Sequence, residues 1–175
     1  MENKKISIRI LLVVSVLTLS IFYTNLTSAI TIPLGKEKNL DVELSPPKSL
    51  FNTEEDGYFY PGSPKITKNL KVINIGDLPF RICRFNATFY EDIQLAEVLQ
   101  IEILELGGEE PHLLYTGTLS SLQEGVEAVG KRAIPPRKST TLKITVWMPE
   151  KVENEYQGLS MIADIAVTVR FEPKS

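Results

Sequence analysis

Apolar and polar residues alternate along the chain from residue 40 onward, and this spacing is typical of β-strands with one buried face. The first such stretch places Leu40, Val42 and Leu44 on one face. In the later stretches, the residues that share a face are Leu70 and Val72; Cys83, Phe85, Ala87 and Phe89; Leu142, Ile144, Val146 and Met148; and Met161, Ala163, Ile165, Val167, Val169 and Phe171. About seven short strands predict an all-β fold, a two-sheet antiparallel β-sandwich.

Two local patterns add detail to this fold. Residues 66–76 and 80–90 both alternate, and Gly76 and Asp77 between them favour a tight turn, so the sequence predicts a β-hairpin. Residues 91–99 have apolar residues near helical spacing and predict one short helix that leads into the next strand. Both patterns fit a sandwich in which turns and brief helices connect the strands.

The N-terminal residues have the pattern of an export signal. Three basic residues precede an apolar run over residues 10–23, and small residues ending at Ala29 follow it. This order predicts a secretory signal peptide over residues 1–29. The run of about 14 residues is shorter than the roughly 20 that a membrane span needs, although an uncleaved N-terminal anchor is the alternative. The predicted organisation is therefore this signal, an N-terminal segment over residues 30–39 and a β-sandwich domain over residues 40–175.

The composition describes one globular domain and excludes several kinds of site. The chain has 175 residues, 19 Lys and Arg against 22 Asp and Glu, and 43% hydrophobic residues. Its single His excludes a zinc site that needs two imidazoles from one chain, and its single Cys excludes an intramolecular disulfide. The basic residues are outnumbered and scattered, so nucleic acid is not an expected partner. Removal of residues 1–29 would leave a mildly acidic protein with a formal charge of about −5.

Residues able to support catalysis are few, and the sequence predicts no catalytic residue, metal ligand or cofactor. His112 follows a double-glycine turn, where a solvated side chain is expected. Glu110 and His112 are two residues apart and would form only part of a metal site. Cys83 is in phase with Phe85, which favours a small buried side chain over a reactive thiol. The acidic run at residues 54–56 is expected to be solvated, with weak Ca²⁺ binding as the alternative.

Two features instead favour interaction surfaces. Trp147 is the only Trp and alternates away from the apolar face of its strand, so either a loop of the same chain or a partner must cover it. The N-terminal segment is short, apolar and β-favouring, and it could pair with an edge of its own domain or add as a strand to a neighbouring molecule. The residues that this segment offers for pairing are Ile30, Thr31, Ile32 and Leu34.

Four short segments also occur in a characteristic order. They are Asn39-Leu40-Asp41-Val42-Glu43-Leu44-Ser45; Pro61-Gly62 followed by the strand and turn over residues 68–78; Glu91-Asp92 with residues 95–106; and Asn154-Glu155-Tyr156-Gln157-Gly158 before the last strand. Together they resemble the TasA and camelysin (CalY) family, which are exported matrix and surface proteins of Gram-positive bacteria. The Asn-x-Tyr-Gln-Gly segment is the most specific, because Pro-Gly and Asn-x-Gly turns also serve hairpin geometry in unrelated sandwiches. The aromatic-rich segment that family members commonly show after the cleavage site is replaced here by residues 30–38.

The resemblance implies a jelly-roll β-sandwich that acts as a secreted, non-enzymatic building block of extracellular fibres. In such a fibre the N-terminal segment of one subunit completes the sheet of the next, and backbone pairing supplies much of the affinity. The implied partners are copies of the same chain and other surface proteins, with membrane contact only through the signal peptide. Camelysin-like members have been described as metallopeptidases, but this chain has no His-Glu-x-x-His stretch and that activity is not carried over.

Two other functions remain open at the level of the residues. A monomeric surface-binding module would contact a glycan or a protein through Trp147 or through the aromatic cluster at residues 58–60. A metal-dependent hydrolase would use Glu110 and His112, with further ligands that the sequence does not identify. The first alternative needs exposed aromatic side chains, whereas the second needs several ligands brought together by the fold.

Overall fold

A computed structural model of the chain describes residues 3–13, 32–34, 38–46, 50–128, 130–156 and 158–172. The strands are β1 (Asn3–Val13), β2 (Ile32–Leu34), β3 (Lys38–Leu40), β4 (Val42–Ser45), β5 (Ile66–Asn74), β6 (Phe80–Glu91), β7 (Gln100–Leu106), β8 (His112–Thr118), β9 (Val126–Glu127), β10 (Ser139–Trp147) and β11 (Ser160–Phe171). The α-helices are single turns, α1 (Thr53–Asp56) and α2 (Leu95–Val98), and 3-10 turns occupy Ser120–Leu122 and Asn154–Tyr156. The predicted all-β class is confirmed, and α2 is the short helix that the sequence predicted.

Two antiparallel sheets form the sandwich. The first sheet has the strand order β1-β11-β6-β9, and the second has the order β4-β5-β10-β7-β8. β2 and β3 form a separate two-stranded ribbon that leads into β4. Every strand pair in these sheets is antiparallel, as expected for strands with one buried and one solvated face.

The hydrophobic core lies between the two sheets, and its strand residues are largely those that alternation predicts. The predicted face residues that are buried are Leu40, Val42, Leu44, Leu70, Val72, Phe85, Ala87, Leu142, Ile144, Val146, Met148, Met161, Ala163, Ile165, Val167 and Val169, while Phe89 and Phe171 are half-buried. The connecting segments add large side chains that alternation does not reveal, among them Phe51, Phe59, Leu99 and Leu122. The loops therefore close the open sides of the sandwich as well as joining the strands.

The predicted hairpin of residues 66–76 and 80–90 is wrong. β5 belongs to the second sheet, where it pairs with β4 and β10, whereas β6 belongs to the first sheet and pairs with β11 and β9. The intervening residues carry the chain across the core from one sheet to the other. Because alternation and turn residues look the same in a hairpin and in a crossing between sheets, local sequence does not distinguish them.

Asn74 at the end of β5 holds this crossing in place. Its side chain is fully buried, and its Nδ2 donates hydrogen bonds to the carbonyl oxygens of Leu78 at 2.8 Å and Ile134 at 2.9 Å. Its Oδ1 accepts a hydrogen bond of 3.1 Å from the backbone N–H of Gly76. One buried amide therefore satisfies three backbone groups at the point where the chain changes sheets.

Candidate functional site

The outer edge of β11 is a candidate site for strand addition. β1 runs antiparallel along β11, from Asn3 opposite Arg170 to Val13 opposite Ser160. On its other side β11 pairs with β6, and in the described part of the chain no strand lies beyond β1 in this sheet. β1 falls within residues 1–29, the segment predicted to be a signal peptide. The edge of β11 is therefore covered by a segment whose removal is predicted on export.

The N-terminal segment itself pairs locally. Ile30 and Thr31 lie outside the described residues, whereas Ile32 and Leu34 belong to β2. β2 pairs with β3, which places Ile32 opposite Leu40, and the ribbon joins neither of the larger sheets. The sequence left open whether this segment pairs with an edge of its own domain or with a neighbouring molecule. The structure shows a third arrangement, in which the segment pairs with β3 of the same chain.

Trp147 is half-buried at the end of β10, between the buried residues Val146 and Met148. The Lys65 ammonium lies 4.1 Å from the centroid of the Trp147 ring, which is the geometry of a cation–π contact. Lys65 comes from the segment just before β5. The same chain therefore supplies at least part of the cover of Trp147.

The turn that follows the aromatic cluster at residues 58–60 is hydrogen-bonded to the chain next to Trp147, although the two segments are far apart in sequence. Tyr58 and Tyr60 are 52% and 56% exposed, while Phe59 between them is buried in the core. The backbone N–H of Gly62 donates a hydrogen bond of 3.3 Å to the carbonyl oxygen of Met148, the residue that follows Trp147. Sequence analysis identified the cluster and Trp147 separately, and only the fold shows that they share one end of the second sheet.

A cleft of about 310 Å³ opens at the other end of β10. Its lining includes the side chains of Glu105, Glu110, His112 and Arg132, and β10 contributes Thr140. The cleft is separated from Trp147 by most of the length of β10, roughly 24 Å at the usual rise of a strand. Its volume is at the lower end of the range for small-molecule sites.

Two charged side chains of this cleft form hydrogen bonds with backbone groups of the surrounding chain. Glu105 is buried on the inner face of β7, and its Oε2 accepts a hydrogen bond of 2.8 Å from the backbone N–H of Lys131. Arg132 donates a hydrogen bond to the carbonyl oxygen of Gly107. Among the described residues, no three His, Cys, Asp or Glu side chains come close enough to hold a metal ion. Glu110 and His112 line the same cleft without completing such a group.

Cys83 is buried, as predicted, but it is not part of the hydrophobic cluster between the sheets. The register of β6 against β11 shifts here, with Arg84 opposite Thr168 and Ile82 opposite Val169, so Cys83 is the extra residue of a β-bulge. Ile82 therefore takes the inward position that alternation assigned to Cys83. Cys83 Sγ donates a hydrogen bond of 3.4 Å to the Thr168 carbonyl oxygen, and burial raises the pKa of the thiol. The thiol is therefore protonated at neutral pH.

The acidic run at residues 54–56 is tied to β5 through Lys68. The Lys68 ammonium lies 2.5 Å from Asp56 Oδ1 and 3.7 Å from Glu55 Oε2. Asp56 Oδ2 accepts a hydrogen bond of 3.0 Å from the backbone N–H of Asn52. The hydrogen bond with Asp56, helped by the charges of Asp56 and Glu55 and opposed by burial, raises the pKa of Lys68. Both carboxylate oxygens of Asp56 are thus engaged by the chain itself, which argues against Ca²⁺ binding by this residue.

Comparison with known proteins assigns no family to the chain. No protein-family model matches it, and no curated protein sequence is similar to it. In the part of the chain that the structure describes, no helix is long and apolar enough to cross a membrane. Within the Asn-x-Tyr-Gln-Gly segment, Tyr156 packs against the core and Gly158 has a φ of +82°, whereas Gln157 lies outside the described residues. Function therefore has to be inferred from the residues and their arrangement.

Proposed function

We propose that this protein is an exported, non-enzymatic subunit of extracellular-matrix or cell-surface fibres and that it assembles by strand addition. The observation that carries the proposal is the pairing of β1 with nearly the whole length of β11. Cleavage after Ala29 would remove β1 and leave the outer edge of β11 without a partner. A long, regular edge with free N–H and C=O groups is a template for another strand.

The inner face of β11 specifies what the added strand must offer. Its buried residues Ala163, Ile165 and Val167 alternate along the strand, so a partner needs apolar residues at every second position. The register of β1 against β11 meets this requirement. Its apolar residues Ile10, Ile8 and Ile6 lie opposite Ala163, Ile165 and Val167, respectively.

The N-terminal segment has the same spacing in Ile30, Ile32 and Leu34. Pro33 has no N–H, and in an added strand it is tolerated where that side of the backbone faces solvent, as at the edge of a sheet. The β2-β3 ribbon is small and stands outside the main sheets. Two-stranded ribbons are marginally stable by themselves, so opening this one to donate residues 30–34 to a neighbour costs little.

The resemblance to the TasA and camelysin family supports the same function. It adds the jelly-roll type of sandwich, cleavage of the signal peptide, an extracellular or cell-surface location, and other surface proteins as additional partners. Among the described residues the acidic and imidazole side chains do not gather into a metal site, so nothing here favours the metallopeptidase alternative.

Assembly by strand addition predicts that the N-terminal segment is required for fibres. We expect protein comprising residues 30–175 to form fibres or large oligomers, and protein comprising residues 38–175 to stay monomeric. Electron microscopy and sedimentation of both forms, at near-neutral and mildly acidic pH, measure this directly. Monomers from both forms at high concentration would contradict the proposal.

Substitutions within the segment distinguish strand addition from non-specific hydrophobic association. In an added strand Ile32 would face the core of the acceptor, whereas Thr31 would face away. We expect Ile32→Lys to abolish assembly and Thr31→Lys, which adds the same charge one residue earlier, to leave it largely intact. Equal loss in both variants would point to a contact that does not depend on strand register.

A further inference from the structure

The outer edge of β11 has two candidate occupants that come from the same sequence. One is β1, which pairs with β11 in the structure and lies on the N-terminal side of Ala29. The other is the segment over residues 30–34 of a neighbouring molecule, which strand addition would place there. Which of the two occupies the edge determines when subunits can assemble, and this question rests on the proposed function.

β1 is the longer of the two occupants. All 11 of its residues, Asn3–Val13, are paired with β11 in one continuous antiparallel register. The N-terminal segment contributes only the three-residue strand β2, and its Pro33 has no N–H to donate. β1 can therefore satisfy more backbone groups along the edge than the segment can.

The apolar pattern of β1 also extends further along the edge. On β11, every second residue from Met161 to Val169 is buried, which makes five positions. The residues of β1 opposite these positions are Leu12, Ile10, Ile8, Ile6 and Lys4. The residues that the N-terminal segment offers at the same spacing are Ile30, Ile32 and Leu34. β1 thus brings an apolar residue to four of the five positions, whereas the segment can do so at three.

The covalent connection of β1 to β11 gives it a further advantage. Pairing within one molecule proceeds at an effective concentration on the order of millimolar for a short linker, whereas a donor from another molecule is present only at the concentration of the protein. We propose that β1 is an intramolecular cap, which closes the edge of β11 in the uncleaved chain and blocks strand addition until cleavage after Ala29. That one cleavage would detach the cap from the acceptor chain and also give the donor segment a free N-terminus at Ile30.

A full chain that can be cut on demand tests the order of these events. Replacement of residues 26–29 by Ile-Glu-Gly-Arg allows factor Xa to cut before Ile30. We expect the uncut protein to form no fibres in electron microscopy, and the cut protein to form them once the fragment that contains β1 has been removed by dialysis. Fibres from the uncut protein, as abundant as those from the cut protein, would overturn the cap and leave strand addition in place.

A peptide that comprises residues 3–13 measures the cap without reference to fibres. We expect the labelled peptide to bind protein comprising residues 30–175 saturably, one peptide per chain, in fluorescence anisotropy. The peptide with Ile8→Lys should bind at least about tenfold more weakly, because this position lies opposite the buried Ile165. The matched control is the peptide with Ser7→Lys, which adds the same charge on the opposite face of the strand and should bind nearly as well as the unaltered peptide.

The peptide also distinguishes failure of the cap from failure of strand addition. Absence of saturable binding, or equal weakening by Ile8→Lys and Ser7→Lys, would overturn the cap whether or not fibres form. If neither the cut nor the uncut protein forms fibres, strand addition is wrong, and binding of the peptide with the expected difference between the two variants would still support closure of the edge by β1.

Discussion

Asn74 shows how much a single polar residue in the core contributes to this fold. We expect Asn74→Ala to lower the free energy of unfolding by about 3 kcal/mol, because the backbone groups of Gly76, Leu78 and Ile134 each lose a hydrogen bond. Asn69→Ala is the matched control, since Asn69 is exposed on the same strand and should change stability by less than about 0.5 kcal/mol. Urea unfolding of both variants measures the difference, and similar losses would show that the crossing between sheets does not depend on the buried amide.

Two glycines with the same φ allow backbone strain to be distinguished from steric conflict. Gly125 and Gly158 both have a φ of +82°, which other residues rarely adopt. A Cβ at Gly158 would meet nothing within 4 Å, whereas one at Gly125 would collide with the side chains of Asn86 and Arg84. We expect Gly158→Ala to cost about 1 kcal/mol from strain alone and Gly125→Ala to cost about 1 kcal/mol more. Thermal unfolding tests the order, and equal losses would mean that Asn86 and Arg84 move aside freely.

Lys68 makes the free energy of unfolding depend on pH in the alkaline range. Its pKa is raised above the usual lysine value of 10.5 by its hydrogen bond with Asp56 and by the charges of Asp56 and Glu55. Its contribution is therefore fully present below pH 10.5 and is lost as the pH rises through the higher pKa of the folded state. We expect the stability difference between the unaltered protein and Lys68→Met to be constant near neutral pH and to shrink above pH 10.5. Chemical unfolding at several pH values measures it, and a difference that persists unchanged at high pH would contradict the ion-pair explanation.

At the level of elements, the strands were predictable and their pairing was not. Alternation located β4, β5, β6, β10 and β11, because a strand in a sandwich has one face in the core and one face outside. The predicted hairpin of β5 and β6 is wrong because the chain crosses to the other sheet after β5, where the buried amide of Asn74 donates hydrogen bonds to backbone carbonyls of Leu78 and Ile134. The phase error at Cys83 has a similar cause, since a β-bulge depends on the partner strand and leaves no mark in the local pattern.

At the level of the whole molecule, the residues of the candidate sites were predictable from the sequence, whereas their positions relative to one another were not. The sequence identified Trp147 and the aromatic residues 58–60 from their chemistry, but only the fold shows that the turn after residue 60 is hydrogen-bonded to Met148, the residue after Trp147. Glu105 was not identified, and its only signal is an acidic residue in phase with Ile101 and Ile103. The proposed function places assembly on the outer edge of β11, in the first sheet.

Local sequence was enough to predict the all-β class, the positions of several long strands, most of the buried faces and the scarcity of metal-binding side chains. These properties depend on composition and on spacing along the chain, which are local. The tertiary structure was needed to show which strands share a sheet, that β1 covers the edge of β11, and that the turn at Gly62 is hydrogen-bonded to Met148. Each of these depends on contacts between residues far apart in sequence, whose free energy comes from burying surfaces together and from satisfying the backbone groups buried with them.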